Sequence, residues 1–378
     1  MRRQRLNIAF FGSSLVSSYW NGAVSYYRGL LRALAARGHL ITFYEPDAYN
    51  RQRHRDIPNP QWADLVVYPG SDDDAALGAL EGAAKRADVL VKASGIGAYD
   101  RLLEEALPNV KRARQMAIYW DVEAPATLER LASQADDPLH RQLGRFDAVL
   151  TYGGGAAVIK GYTAAGARMC VPVYGALDPE THHPALPSGR YKADLSLLAN
   201  RVSDRASRIE RFLFEPARRS PRRRFLLGGS GWDGHGGSSW DLAGRLPNVI
   251  RVGHVSSHEH NVFNASALAV LNVSTDSNAA AGFSPASRIF EAIGAGACLI
   301  TDAWTGIEQF LEPGAEVLVA EDGDQVIEHL ASLTLERARS IGRAARRRVL
   351  AQHTYALRAA QVETLLCANE HALPEVRA

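Results

Sequence analysis

Short apolar runs alternate with stretches of helical periodicity almost from one end of this chain to the other, and the alternation stops and restarts once. Asn7 to Phe11 is a continuous run closed by Gly12-Ser13-Ser14, as a strand buried on both faces would be. Tyr26, Leu30, Leu31 and Leu34 then recur at helical spacing as far as Gly38, a helix stop. His39 to Tyr44, Leu65 to Tyr68, Val89 to Val91, Gln115 to Tyr119 and Ala148 to Tyr152 are further predicted strands, each followed by helical sequence. From Ala176 to Gly189 the text becomes ALDPETHHPALPSG, rich in turn formers and read as a linker. The rhythm resumes with strands at Leu195 to Leu198, Arg224 to Leu227, Val249 to Val252, Ala269 to Val273, Cys298 to Thr301 and Glu316 to Val319. Helices are expected at Ser207 to Ala217 and Ser287 to Ala295, and a helical tail from Asp324 to Leu366. A βαβα order of this kind specifies a parallel sheet with helices on both faces, here twice over. The expected domains are residues 1–175, a linker 176–190, residues 191–345, and a tail 346–378.

Bulk composition excludes several classes. The 378 residues are 46% hydrophobic and 22% charged, enough for sizeable cores and against disorder or a disulfide scaffold. A net charge of +2, from 43 basic and 41 acidic residues, gives no bulk sign of a nucleic-acid or membrane partner. Cys170, Cys298 and Cys367 are far apart and odd in number, so reduced thiols are expected, and with them a cytoplasmic setting. The basic amino end before an apolar run imitates a signal peptide, but the run is short and reads as the first strand. No stretch approaches the roughly twenty apolar residues that span a bilayer.

In open α/β sheets ligands sit beyond the carboxyl ends of the strands, so functional residues are sought there. The segment GFSPASRIFEAIGAGACLITD, Gly282 to Asp302, enters a helix through Ser284-Pro285-Ala286. Such a helix start with a proline in its first turn suits an anion. Arg288 adds a forked donor for phosphate oxygens, and Glu291 is able to accept from two vicinal hydroxyls, as on a ribose. An ordinary amphipathic helix fits the same residues.

This segment resembles the donor-binding part of glycosyltransferases of the GT-B fold. It is most similar to the group named after the spore maturation protein CgeB, with a fainter likeness to the retaining glycosyltransferases. In the latter a Glu at the place of Glu291 binds the nucleotide ribose; a second Glu eight residues earlier is replaced here by Phe283. The stretch SSLVSSYWNGAVSYYRGLLRALAARGH, Ser13 to His39, resembles the family's first loop and helix. The likeness gives Gly22 the role of letting backbone approach the donor phosphates. Leu198-Ala199-Asn200-Arg201 through Arg205 resembles the element that binds diphosphate, which implies that role for Arg201 and Arg205; Asn200 replaces a glycine and an Arg replaces a Lys. Gly253, His254 and Val255 resemble the turn whose backbone reads the uracil edge. KASGIGAYD at Lys92, YWDVEAPATLERL at Tyr119 and DPETHHP at Asp178 also look like the CgeB-like group.

Asp121 directly follows a predicted strand and is the candidate catalytic base for an acceptor hydroxyl, with Glu123 as alternative and a helix-capping role as the plain explanation. Trp120 stands where retaining relatives carry a His. Other signals have plainer readings. Asp72-Asp73-Asp74 contains the DxD pattern but precedes Ala75-Ala76-Leu77 like a helix cap. His182-His183 and His258-Glu259-His260 lack the spacing that places two metal ligands on one helix face. Gly153-Gly154-Gly155 reads as a loop, Gly228 to Ser239 as a surface loop or a flap over the donor. Arg337 to Arg348 reads as a solvated helix face or a membrane contact.

The expectation is therefore two Rossmann-like domains facing across a cleft, the first presenting the acceptor and the second a UDP-sugar, with the tail helix returning to the first. The reaction expected is metal-independent glycosyl transfer with no further cofactor, to an acceptor the sequence does not name, in an oligomeric state it does not fix. A nucleotide-sugar epimerase and a catalytically silent nucleotide- or glycan-binding protein remain as alternatives.

Overall fold

The computed structural model describes residues 5–19, 21–232 and 246–368. The chain divides into two units, one formed by residues up to Gly175 together with those from Tyr355 onward, the other by Ala176–Thr354.

The first unit is built on seven parallel strands: β1 (Asn7–Phe11), β2 (Leu40–Asp47), β3 (Asp64–Pro69), β4 (Val89–Ala93), β5 (Met116–Asp121), β6 (Ala148–Thr151) and β7 (Cys170–Pro172). Their order across the sheet is β3-β2-β1-β4-β5-β6-β7. Ile8 pairs with Ile41 on one side and Val89 on the other, which places β1 at the reversal of strand order. Phe10, Phe11, Leu90, Val91, Ile118 and Tyr119 are buried, as strands covered on both faces require. The loops at that reversal, after β1 and β4, are where an open sheet offers a crevice.

The second unit repeats the plan with β8 (Ala193–Leu198), β9 (Phe225–Gly228), β10 (Val249–Gly253), β11 (Ala267–Asn272), β12 (Leu299–Asp302) and β13 (Leu318–Ala320). The order is β10-β9-β8-β11-β12-β13, again all parallel, with the reversal between β8 and β11. Two doubly wound α/β units were the sequence expectation, and the fold bears it out.

Differences from the expected elements have local causes. The helix anticipated at Ser207 to Ala217 is broken into Ala206–Ile209, a wide π turn over Glu210–Phe214, and Glu215–Arg219. Pro216 lies just beyond the wide turn, where a regular helix would lose a hydrogen bond and meet the proline ring. The tail is three helices, Gly323–Ser332, Leu335–Gln352 and Tyr355–Ala368, with Asp322 and Thr334 capping the first two. The last packs on the helix Val24–Ala36 of the first unit. Gly29 makes this approach possible: a Cβ there would lie 2.2 Å from the Tyr355 ring. Glu363 pairs with Arg37, and Gln361 and Arg358 donate to the carbonyls of Pro172 and Tyr174. The return of the tail helix is thus observed.

Asp72 Oδ1 accepts from the Ala75 amide at 3.1 Å, so the DxD stretch caps a helix. Of the stretch read as a possible flap, residues 233–239 lie outside the described residues. Trp232 is buried, its Nε1 donating to the Ala199 carbonyl at 2.7 Å. Among the described residues no helix is long and apolar enough to cross a membrane.

Candidate active site

In the second unit the chain leaves β8 and turns at once. The Ser230 amide donates to Asn200 Oδ1 at 3.0 Å and the Arg201 amide donates to the Ser230 carbonyl at 3.0 Å, which ties this loop to the one after β9. Arg201 is half-buried. The chain then makes a short 3-10 turn, Ser203–Arg205, at which the Arg205 guanidinium lies within the field of the Arg288 charge. Burial and the Arg288 charge push the Arg205 guanidinium down to about 9, against the pull of Asp302 and Asp204. Two guanidinium groups held together in a poorly solvated place repel each other, and an anion between them relieves both the repulsion and the desolvation.

Three residues on from Arg205, Arg208 does something different. It donates through Nε and Nη2 to Asp302 Oδ2 at 3.1 and 2.6 Å. Asp302 is fully buried at the end of β12 and also accepts from the amide and hydroxyl of Ser274. Nothing in the local sequence separates Arg205 from Arg208. The separation comes from which of them reaches a carboxylate on a distant strand.

Gly282 to Ala286 leads into the helix Ser287–Gly294, whose N-cap, Ala286, makes no side-chain cap. The loop is braced from below. Gly282 and Phe283 have φ of 68° and 46°, and the Phe283 amide donates to the Thr305 carbonyl at 2.7 Å. The Phe283 ring lies against Gly306, where a Cβ would come within 2.2 Å of it. A left-handed Phe costs free energy and is held by these contacts. Ser284 Oγ donates back to the Gly282 carbonyl at 2.9 Å, and Ser284 and Pro285 are buried. Partial positive charge collects at the amino end of such a helix, at Ser287 and Arg288.

Glu291 lies on the same helix, 8% exposed. Its Oε1 is 4.0 Å from His182 Nε2 and its Oε2 3.6 Å from His260 Nδ1. His182 comes from the connecting segment and His260 from the start of the helix His260–Ser266. His260 Nε2 in turn lies 3.3 Å from the Val255 carbonyl oxygen. Val255 is buried beyond Gly253, which ends β10 with φ of 67° and has open space where a Cβ would stand; His254 is exposed. These links bring Val255, two residues beyond Gly253, and Glu291 to one side chain. Among the described residues no group of His, Cys, Asp and Glu is arranged to hold a metal ion.

In the first unit the loop after β1 is tied down by a carboxylate. Glu45, buried near the end of β2, accepts from Ser14 Oγ at 3.1 Å and the Leu15 amide at 2.6 Å. Asn21 spans the loop, donating to the carbonyls of Ser14 and Ser17, and Arg28 pairs with Asp56. Gly22 is exposed, and a Cβ added there would meet nothing within 4 Å. Among the described residues nothing requires a glycine at that position.

Asp121 ends β5 at the carboxyl edge of the sheet, as expected, but its side chain is fully buried. Its Oδ1 accepts from Ser94 Oγ at 2.6 Å and the Glu123 amide at 2.8 Å, and its Oδ2 accepts from the Tyr162 hydroxyl. Burial and the Asp121 charge hold the Tyr162 hydroxyl protonated well beyond its usual range. Glu123, two residues on, is exposed and forms the N-cap position of the helix Ala124–Ser133. Desolvation by the protein around it, and the Asp121 and Asp100 carboxylates, push its carboxyl above the usual range. Trp120 is buried and donates from Nε1 to the Tyr26 hydroxyl at 3.0 Å.

Residues 205–364 match the family described as glycosyl transferase-like. No curated protein matches the chain in sequence. Among solved structures, sucrose-phosphate synthase (tll1590) from Thermosynechococcus elongatus is similar over 98% of this chain and 100% of its own, at 15% identity and a TM-score of 0.72. Alr3699/HepE of Anabaena, in complex with UDP-glucose, is similar over 98% of this chain and 100% of its own, at 13% identity and a TM-score of 0.68. AviGT4, a glycosyltransferase involved in avilamycin A biosynthesis, is similar over 96% of this chain and 98% of its own, at 17% identity and a TM-score of 0.58. The architecture is thus GT-B.

Proposed function

We propose that this chain, which carries the glycosyl transferase-like domain over residues 205–364 on a GT-B fold, transfers a sugar from a UDP-sugar to an acceptor hydroxyl. The observation that carries the reading is the crowding of Arg205 and Arg288 at the amino end of the helix that also bears Glu291. As the bond from the sugar to the diphosphate breaks, negative charge grows on the leaving group. Fixed cations and a helix end already aimed at that place stabilise it without reorganisation. In this reading Arg205, Arg288 and the Ser284–Ala286 entry take the diphosphate, with Arg201 beside them, and no divalent ion is required. Glu291 accepts from the ribose hydroxyls and the Gly253–Val255 backbone meets the base. Gly22 keeps its expected role of leaving backbone free to meet a phosphate, with open space where a Cβ would stand. The choice of uridine and glucose for the first probes follows from the UDP-glucose held by the Anabaena relative.

For the acceptor we assign the two carboxylates after β5 different roles. Asp121 is sealed in and saturated with donors, so it positions the loop. Glu123 is exposed and its carboxyl is raised, the combination a base needs to take a proton from an incoming hydroxyl.

Titration calorimetry with UDP, GDP, ADP and several UDP-sugars, in EDTA and in magnesium, tests the reading. UDP binding that EDTA leaves intact, with slow release of UDP from one UDP-sugar in the absence of acceptor, is the expected result. No binding of any nucleotide to folded protein would sink the donor site. Binding with no turnover of any UDP-sugar would leave a binding protein in place of a transferase.

A further inference from the structure

His260 touches two parts of the nucleoside side of this site at once. Its Nε2 faces the Val255 carbonyl oxygen at 3.3 Å, and a carbonyl only accepts, so Nε2 carries the proton. In the neutral ring Nδ1 then turns its lone pair toward Glu291 Oε2, 3.6 Å away. Adding a proton at Nδ1 converts that contact into an ion pair with a largely buried carboxylate.

The other groups around it are committed elsewhere. His182 flanks Glu291 on the opposite oxygen, and the two imidazole rings lie 6.3 Å apart with planes 22° from parallel. Burial pushes the His182 imidazole below its usual range, against the pull of Glu291 and Asp178. Glu259, next to His260 in sequence, is occupied by Arg190 and the Tyr191 hydroxyl, each at 2.9 Å. Arg288, one turn before Glu291, stands beside Arg205.

We propose that His260 is a positioning residue for the nucleoside: it keeps the turn Gly253–Val255 in register with Glu291, and its protonation draws the Glu291 carboxylate away from the ribose. This rests on the reading of Glu291 as the ribose acceptor. Donor binding then weakens as pH falls through the His260 titration, because the carboxylate is taken by the imidazolium. The weakening is greatest for ligands that offer the carboxylate both ribose hydroxyls and smaller for those that lack the 2′-hydroxyl.

The test compares UDP with 2′-deoxy-UDP by calorimetry from pH 5.5 to 8.5; the two share the base, the diphosphate and the 3′-hydroxyl, so their difference isolates the 2′-hydroxyl. At pH 8 the parent protein is expected to prefer UDP by about tenfold or more, the worth of a hydrogen bond to a charged group, and at pH 5.5 the preference shrinks toward one. His260→Gln keeps a donor for Val255 but cannot titrate, and is expected to hold the preference at low pH. His182→Gln is expected to follow the parent. A parent-like pH dependence in folded His260→Gln, or its disappearance in His182→Gln instead, overturns the proposal. Should His260→Gln fail to fold, the parent decides: near pH 6, UDP binding releases more protons than 2′-deoxy-UDP binding, and equal release overturns the proposal. A preference for UDP that is absent at every pH, or unchanged in Glu291→Gln, instead refutes the ribose reading.

Discussion

Arg205 and Arg208 stand one helical turn apart, and the structure gives substitution of each the opposite effect on stability. A guanidinium pushed down to about 9 carries a penalty on its charged form of roughly 4–5 kcal/mol, at about 1.4 kcal/mol per tenfold change in proton affinity. The sign is unfavourable throughout neutral pH: the charged form prevails in both folded and unfolded chain, and the folded chain bears the cost until the pH rises through 9. Arg205→Met removes that cost and keeps most of the volume. The pull of Asp204 and Asp302 is already contained in that figure, and relaxation and water entry around a half-buried side chain reduce it to a gain of about 1–3 kcal/mol. For a unit of this size that is a rise of about 2–10 °C in the melting temperature of the ligand-free protein. UDP affinity should fall roughly 10- to 150-fold, since a charge-assisted hydrogen bond is worth about 1.5–3 kcal/mol. Arg208→Met is the control. It strips a buried Asp302 of its cation, and breaking such a pair costs about 3–5 kcal/mol, so this variant melts earlier. Differential scanning fluorimetry without ligand and calorimetry with UDP read both quantities. An Arg205→Met protein that melts below the parent, or binds UDP as tightly, refutes the account of Arg205 as a cation strained for an anion.

Four further expectations follow from the same geometry. Glu123→Gln should lower kcat by one to two orders of magnitude with little change in melting temperature; because a base works deprotonated and Glu123 is raised, parent activity should fall with decreasing pH above the range of an ordinary carboxylate. Asp121→Asn should instead destabilise the fold by about 1–3 kcal/mol, since the buried acceptor of Ser94, Tyr162 and the Glu123 amide is weakened, as urea denaturation would reveal. Gly29→Ala should cost about 1–3 kcal/mol by driving a methyl into the Tyr355 ring, and limited proteolysis should then release the last helix first. Gly22→Ala should leave the melting temperature unchanged, as the added carbon meets nothing among the described residues, yet weaken UDP-sugar binding measured by calorimetry.

The sheets were legible because buried parallel strands read as apolar runs with turn residues at their carboxyl ends, a signal each strand carries by itself. It failed where the element is too short to carry it: Cys170–Pro172 is a three-residue edge strand ending in proline. The position of Asp121 at the end of its strand was legible for the same reason. Its burial was not, because the seal is made by Ser94 from one neighbouring strand's loop and Tyr162 from a later helix. The candidate site of the second unit divides in the same way. A helix entry with Arg288 and Glu291 one turn apart is a local pattern, and it was read locally. What gives those residues their chemistry is not local. Arg205 is held down by burial and by Arg288, while Arg208 makes the hydrogen bonds to Asp302. Glu291 is bracketed by histidines from two distant segments, one of them anchored to the turn that follows β10. A charged residue in a site of this kind is therefore defined less by its own position than by which neighbours are already committed, and that assignment belongs to the fold.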